Sequence, residues 1–232
     1  MTSIGFIGSG NIGSTVAKLA VDAGHDVVLS NSRGPETLQD LVTELGPHAR
    51  AGTTQEAASA DVVVVSVPLK AADQIPPESL RGKIVIDTCN YYPQRDGHVA
   101  ELDAESTTTS ELVQRHLSGS TVVKGFSNIN YLHLLSLARP SGSPERTTLP
   151  IAGDDAEAKA HVTAFLDSIG YDAYDAGPLA EGWRFQRDTP AYAGLYNSDT
   201  TGTWPPPPGS ERQVTADELI EKLAAAKRYR DM

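Results

Sequence analysis

Short apolar runs alternate with stretches that carry apolar residues at helical spacing along most of this chain. The apolar runs predict strands at residues 3–7, 27–29, 49–52, 61–67, 83–87, 121–126, 148–152 and 171–174. The helical spacing predicts a first helix that contains residues 16–20, and further helices at residues 35–45, 54–58, 108–117, 131–138, 154–169 and 215–229. This alternation predicts an α/β fold, a doubly wound parallel sheet with helices on both faces and a small C-terminal appendage.

A shift in composition after Leu179 suggests where the chain divides. We expect a nucleotide-binding domain at residues 1–126, a continuation of the sheet with an acceptor-side region at residues 127–178, and a tail at residues 179–232. The tail contains both tryptophans and the proline run at residues 205–208. Because a proline run is a stiff, extended spacer, we expect the last helix to lie away from the sheet and to wrap this subunit or a partner.

A glycine-rich turn follows the first predicted strand and opens the first helix. Strand, turn, helix and strand is the context in which G-x-G-x-x-G indicates a dinucleotide site on a Rossmann sheet. The first glycine permits the tight turn, the second lets a pyrophosphate approach the backbone, and the third lets the helix pack on the strand. The helix N-terminus then offers unpaired N–H groups to the phosphates. The residues assigned to this cradle are Gly8, Ser9, Gly10, Asn11, Ile12 and Gly13.

The end of the second strand indicates which dinucleotide is bound. NAD-binding units usually carry an acidic residue there, which holds the ribose hydroxyls and repels the 2′-phosphate of NADP. This chain has Asn31, Ser32 and Arg33 at that position, and Arg33 is suited to a forked pair with a phosphate. The sequence therefore favours NADP(H). A simpler interpretation, in which Ser32 caps the next helix, is compatible with binding.

Composition excludes several other classes of function. A net charge of −11 argues against nucleic acid and anionic membranes as partners, and no apolar run approaches the roughly 20 residues of a membrane helix. The single cysteine, Cys89, excludes an internal disulfide, and we expect it to be a buried apolar residue. The first strand leaves no room for a signal peptide, so we expect a cytoplasmic protein. The six histidines show no metal-binding spacing, and no metal site is predicted.

Several segments together resemble one family, the NADPH-dependent reductases of the 8-hydroxy-5-deazaflavin coenzyme F420. They are IGFIGSGNIG, SNSR, VSVP, IDTCN, VVKGFSNI, IAGDDAEAK and DAGPL, in order between residue 4 and residue 179. The NADPH-oxidising domain of membrane ferric reductases is similar over the same span. The family commonly has His or Asn at the position of Ser127, and its short C-terminus does not match the tail of this chain.

The resemblance implies roles for individual residues. The backbone of residues 9–12 holds the pyrophosphate, and Ser32 and Arg33 hold the 2′-phosphate. The residues implied to line the nicotinamide half are Ser66, Val67, Pro68 and Asn90, with Ser127 nearby and Ile129 pressing on the nicotinamide ring. No residue is assigned as an acid or base, because hydride transfer to a deazaflavin requires mainly that two rings are held together.

Two stretches leave alternatives open. Lys124 and Asn128 have the spacing of an acid pair in hydroxyacid dehydrogenases, but here the first is on a strand and the second is past a turn. In the tail, Arg184 and Arg187 lie among aromatic residues, where they receive an acidic acceptor or form an interface with a second subunit. We expect a homodimer.

The resulting hypothesis is hydride transfer between NADP(H) and the deazaflavin coenzyme F420, a small-molecule coenzyme substrate. One alternative is an NADPH-dependent reductase of a flavin or of a small carbonyl or imine substrate. Another is a noncatalytic NADP(H)-binding sensor whose tail recognises a protein.

Overall fold

The computed structural model describes residues 2–229. Residues 1 and 230–232, the outer ends of the first predicted domain and of the tail, lie outside the described residues. The strands are β1 (Ser3–Ile7), β2 (Asp26–Ser30), β3 (Ala49–Ala51), β4 (Val62–Val65), β5 (Ile84–Asp87), β6 (Thr121–Lys124), β7 (Thr148–Gly153) and β8 (Asp172–Asp175). They form one sheet in the order β3-β2-β1-β4-β5-β6-β7-β8.

Helices of different lengths connect these strands. They are α1 (Asn11–Asp22), α2 (Gln39–Leu45), α3 (Thr54–Ala58), α4 (Pro93–Asp96), α5 (Ala100–Asp103), α6 (Thr109–His116), α7 (Tyr131–Ser136), α8 (Ala156–Ser168) and α9 (Ala216–Ala224). Short 3-10 turns lie at Pro35–Leu38, Leu69–Gln74, Pro77–Leu80, Leu179–Phe185 and Ala193–Tyr196. The helix predicted at residues 35–45 therefore begins with a 3-10 turn. Asp155 caps α8 through a bond from the Ala158 N–H, as the sequence predicted for one of two aspartates.

Alternating side chains of the central strands divide the core between the two faces of the sheet. Val62 and Val64 pack in one apolar cluster with α1, α8 and the tail. Val63 and Val65 pack in the other cluster, with α3 and α6. Because both faces are covered, every position of this strand is apolar. The predicted fold class, a Rossmann-like α/β sheet, is confirmed.

The sheet is mostly parallel, and β7 is the exception. Strands β1 to β6 run parallel, β7 is antiparallel to β6, and β8 is parallel to β7. The prediction of parallel strands throughout is wrong at this one pairing. A parallel strand requires a crossover that returns the chain to the opposite edge. The connection that contains α7 brings the chain to β7 at the edge where β6 ends, whereas the connection through α8 returns it to the opposite edge for β8.

The tail packs on its own chain. Phe185, Tyr196, Val214 and Leu219 are buried in the apolar cluster that also contains β1 and β7. The expectation that the last helix lies away from the sheet is therefore wrong, since α9 contacts β7. The proline run leads the chain around the core rather than away from it, because apolar residues on both sides of the run are buried there.

Candidate functional site

A cleft opens at the edge of the sheet where β1, β4, β5 and β6 end, with a volume of about 260 Å³. The predicted site residues in its wall are Gly10, Asn11, Ile12, Ser66, Val67, Pro68, Asn90, Ser127 and Ile129. Gly8, Ser9 and Gly13 belong to the same glycine turn, whereas Asn31, Ser32 and Arg33 follow the neighbouring strand β2, outside the wall. Residues from four separate stretches that the sequence assigned to one site therefore meet at one place.

At two positions of the glycine turn, no residue larger than glycine can be accommodated. Gly8 has a φ of +102°, and a Cβ added there would lie 2.2 Å from the backbone oxygen of Ser66. A Cβ on Gly13 would lie 2.2 Å from the backbone oxygen of Gly8. Both glycines are therefore required by close packing between the turn, α1 and the end of β4.

Gly10 differs, because nothing inside the protein requires it to be glycine. Its φ is −76°, an ordinary value, and no atom lies within 4 Å of the position that a Cβ would take. Gly10 is the N-cap of α1 and offers no side chain to the first N–H groups of that helix. The turn therefore presents an open backbone surface and the positive end of the helix dipole to the cleft.

The turn after β2 is built around Asn31. Its side-chain oxygen accepts the N–H of Arg33 at 2.9 Å, and its amide nitrogen donates to the hydroxyl of Thr37 at 2.9 Å. Ser32 and Arg33 are exposed, and the guanidinium of Arg33 has no hydrogen bond or ion pair within residues 2–229. Asn31 thus shapes the turn, and Ser32 and Arg33 remain available to a ligand.

Two polar atoms in the cleft are buried without partners. The side-chain nitrogen of Asn90 donates to the backbone oxygen of Ser127 at 2.6 Å. Its Oδ1 and the Oγ of Ser127 have no hydrogen-bond partner in the described chain. A buried polar atom left unpaired costs about 1–3 kcal/mol, so this pair is poised to bind a ligand that both donates and accepts hydrogen bonds.

The chain makes a sharp bend over the cleft after β6. Phe126 has a φ of +57°, a left-handed conformation that costs a non-glycine residue about 1–2 kcal/mol. Phe126 and Ile129 are buried in the core cluster beneath the cleft. Asn130 then caps α7 by accepting the Leu132 N–H at 2.8 Å. The bend therefore holds the apolar floor of the cleft in a fixed position.

A buried polar cluster supports the loop after β5. The Lys124 ammonium donates to the backbone oxygen of Cys89 at 2.9 Å and to the Ser110 hydroxyl at 3.3 Å. The Asp87 carboxylate accepts bonds from that hydroxyl and from the Cys89 N–H. Burial lowers the pKa of Lys124, and the nearby charge of Asp87 offsets part of the shift. The cluster holds the segment that carries Asn90.

This arrangement excludes three residues as reactive groups. Lys124 and Asn128 do not form an acid pair, because Asn128 is fully buried and donates to the Ala191 backbone oxygen at 2.9 Å and to the Tyr196 hydroxyl at 2.8 Å. Neither residue lines the cleft. Cys89 is confirmed as buried, and burial raises the pKa of its thiol, so the reactive thiolate is disfavoured.

A pair of tyrosines that sequence reasoning did not assign lines the cleft. The hydroxyl oxygens of Tyr92 and Tyr192 lie 2.7 Å apart. The guanidinium carbons of Arg95 and Arg187 lie 4.8 Å and 5.3 Å from the centre of the Tyr92 ring, within cation–π range. Tyr92 follows β5 at the ligand edge, which was a usable signal, but nothing local to Tyr192 indicated that the tail reaches this cleft.

The two tail arginines face different ways. Arg184 pairs with Glu181 and donates to the backbone oxygen of Leu223 at 3.3 Å, so it is directed toward α9. Arg187 pairs with Asp188 at 3.1 Å and lines a second cavity of about 260 Å³. The residues around that cavity include Tyr91, Trp183 and Tyr229. The two arginines therefore do not act together on one ligand.

Within residues 2–229, every helix is too short or too polar to cross a bilayer. Over the same residues, no three His, Cys, Asp or Glu side chains come together in a way that would hold a metal ion.

Residues 3–91 match the model of a protein family described as NADP oxidoreductase, coenzyme F420-dependent. A search of curated proteins gives no match. Among solved structures, a hypothetical protein from Sinorhizobium meliloti has 28% sequence identity and a TM-score of 0.73, covering 83% of this chain and 94% of that chain.

Two further structures extend the comparison. A candidate F420-dependent NADP reductase from Arthrobacter sp. FB24 has 26% identity and a TM-score of 0.65, covering 77% of this chain and 86% of that chain. A reductive aminase from Aspergillus terreus, solved with NADPH and ethyl-5-oxohexanoate, has 20% identity and a TM-score of 0.55, covering 78% of this chain and 56% of that chain. At that identity the aminase is informative about the fold alone.

Proposed function

We propose that this protein transfers a hydride between NADP(H) and the deazaflavin coenzyme F420, because residues 3–91 match the family model of the coenzyme F420-dependent NADP oxidoreductases. The family resemblance seen in the sequence is confirmed, and the protein is an NADP-dependent oxidoreductase. The identity of the acceptor is the proposed part.

The observation that carries the proposal is the composition of the cleft. The open backbone at Gly10 and the unpartnered atoms of Asn90 and Ser127 lie in the same wall. The first fits a pyrophosphate, and the second fits a carboxamide, which has one donor and one acceptor. The residues present therefore fit a nicotinamide dinucleotide.

We assign the binding roles as follows. The N–H groups of residues 9–12 bind the pyrophosphate, and Ser32 with Arg33 binds the 2′-phosphate. Asn31 contributes by holding the turn in which those two residues lie. Asn90 and Ser127 bind the carboxamide, and Ile129 supports the nicotinamide ring from the apolar floor. The segment 66–68 lines the remaining wall of the cleft.

When bound, NADPH supplies the hydride, and the protein supplies position. The bend at Phe126 and the buried cluster of Asp87 and Lys124 keep the cleft walls rigid, which favours close approach of two rings. The tail contributes Tyr192 to the wall of the cleft. No acid or base is needed for the hydride itself to move between the rings.

The direct test is to mix the protein rapidly with NADPH and oxidised deazaflavin. The reaction is monitored as the loss of deazaflavin absorbance. Turnover with deazaflavin in preference to FMN and to a cyclic imine supports the proposal. Turnover with FMN or the imine alone would assign the protein to the alternative reductase class. Tight NADPH binding with no turnover of any acceptor would assign it to the sensor class.

A reductase of a small carbonyl or imine is the second candidate because of Tyr92 and Tyr192. Such a reaction requires a proton donor close to the hydride acceptor, and this hydroxyl pair lies in the cleft.

Homodimer formation also remains a prediction, to be measured by light scattering in solution. Because the tail packs on its own chain, a dimer is not needed to cover it.

A further inference from the structure

The reduction proposed above consumes a proton as well as a hydride. The hydride forms a C–H bond on the acceptor, and the electron pair that it displaces moves to a conjugated nitrogen or oxygen. That atom then takes up H⁺, so that NADPH, acceptor and H⁺ give NADP⁺ and the doubly reduced acceptor. The same balance holds for a deazaflavin, a flavin, a carbonyl or an imine. A group that holds a proton in the cleft is therefore useful for each of these acceptors.

We propose that Tyr92, hydrogen-bonded to Tyr192, is the residue that donates this proton to the acceptor. The assignment rests on the proposed function only in requiring hydride transfer in this cleft. Both tyrosines line the cleft wall together with Asn90, Ser127 and Ile129. In the transfer the O–H bond of Tyr92 breaks and an N–H or O–H bond forms on the acceptor.

The hydrogen-bond count shows that the tyrosine pair holds one hydrogen that is not used between the two hydroxyls. Two hydroxyls 2.7 Å apart share one hydrogen between them, which leaves the other hydrogen for a ligand. Burial and the bond to Tyr92 raise the pKa of Tyr192, which stays a phenol. When Tyr92 gives up its proton, Tyr192 remains protonated and donates to the Tyr92 oxygen.

Two arginines and their carboxylate partners pack around Tyr92. The Arg95 and Arg187 guanidinium groups lie against its ring. Their carboxylate partners are Asp96, which also accepts the Tyr92 N–H at 2.9 Å, and Asp188. Each of these carboxylates is paired with its own arginine. In the proposed transfer, the hydrogen bond from Tyr192 to the Tyr92 oxygen compensates for the proton that leaves, and solvent then returns a proton to Tyr92.

The neighbouring residue offers a matched control. Tyr91 has the same side chain, but its hydroxyl donates to Asp103 at 2.7 Å and accepts the Val99 N–H at 3.0 Å. It lines the second cavity and not the cleft. Tyr91→Phe therefore removes a tyrosine hydroxyl at the adjacent position without changing the cleft.

The experiment compares wild type, Tyr92→Phe, Tyr192→Phe and Tyr91→Phe in single turnover with deazaflavin, FMN and a cyclic imine, in H₂O and in D₂O. We expect Tyr92→Phe to slow NADPH oxidation roughly 100-fold, the usual scale for losing a general acid, with NADPH affinity unchanged. The rate of Tyr92→Phe rises as the pH falls, because hydronium must replace the missing donor. Its solvent isotope effect differs from that of wild type. Tyr192→Phe gives a smaller loss, and Tyr91→Phe behaves as wild type.

A second measurement needs no turnover. With ¹³C-labelled tyrosine, adding the oxidised acceptor without NADPH shifts the Cζ resonance of Tyr92 and not that of Tyr91. A wild-type rate and isotope effect in Tyr92→Phe, or an unshifted Tyr92 resonance, overturns the proton-donor role. Failure of the deazaflavin proposal is a separate result, in which the wild-type protein turns over only FMN or the imine. The Tyr92 variants are then compared on the acceptor that is turned over.

Discussion

Residues 3–124 contribute the six parallel strands, whereas residues 179–229 contain one nine-residue helix, two 3-10 turns and a single bridge between Asn197 and Glu211. Both regions reach the same cleft. In the first, backbone hydrogen bonds between strands position the ligand groups. In the second, a few buried side chains hold irregular chain against a sheet that is already formed. The part of the cleft that we propose binds NADP(H) is therefore expected to be rigid, and the part that the tail contributes is expected to depend on single anchors.

The largest effect that would sharpen this contrast is expected at the glycine turn. In Gly8→Ala the new Cβ meets the Ser66 backbone oxygen and the residue keeps an unfavourable φ, so unfolding should become easier by about 2–5 kcal/mol, with NADPH binding lost. Gly24→Ala is the control, because Gly24 has a φ of +83° with open space around it. That change should cost about 1 kcal/mol. Equal losses in urea denaturation would contradict the packing argument.

The next effect concerns the anchor of the tail. Asn128→Ala leaves the Ala191 backbone oxygen and the Tyr196 hydroxyl without a buried donor, so we expect a loss of about 1–3 kcal/mol. Limited proteolysis should cut the tail faster, and the acceptor should bind more weakly while NADPH binding stays near wild type. Asn197→Ala, which removes only a local bond to the Asp199 N–H, is the control. Equal weakening of both substrates would contradict a separate acceptor side.

A smaller effect is expected at the exposed turn after β2. Arg33→Ala should weaken NADPH by about 1.5–3 kcal/mol, the range for hydrogen bonds to charged groups, and leave the weaker binding of NADH unchanged. Arg50→Ala on β3 is the control, because that exposed arginine pairs with Glu56. Isothermal titration with both dinucleotides provides the measurement. Equal losses of affinity for NADPH and NADH would contradict the proposed contact of Arg33 with the 2′-phosphate.

The smallest effect is a pH dependence of stability at the contact between α7 and the tail. His133 is buried and contacts the Ser210 hydroxyl at 3.3 Å, and burial lowers its pKa below the ordinary value of 6.5, with a smaller opposing effect of Glu211. Between its folded pKa and 6.5 the unfolded chain binds more protons, so stability is lost as the pH falls through that window. His133→Gln should flatten this part of the stability profile, measured by urea denaturation. An unchanged profile would exclude His133 as its source.

The sequence pattern alone predicted the part of the cleft that we propose binds NADP(H). The glycine spacing, the acid-free turn at residues 31–33 and the valine run at residues 62–65 are local signals, and each reflects a local physical requirement. Ser66, Asn90 and Ser127 follow three different strands, and the rule that parallel strands end at one edge was enough to bring them together.

Only the tertiary structure decided how the rest of the chain packs around the parallel strands. The antiparallel β7, the return of α9 to the sheet and the meeting of Tyr92 with Tyr192 all depend on contacts between residues far apart in the chain. The tail has no strand periodicity, so no local rule relates Tyr192 to β5. Its course is set by which apolar side chains the existing core accepts, a property of the assembled surface rather than of any short segment.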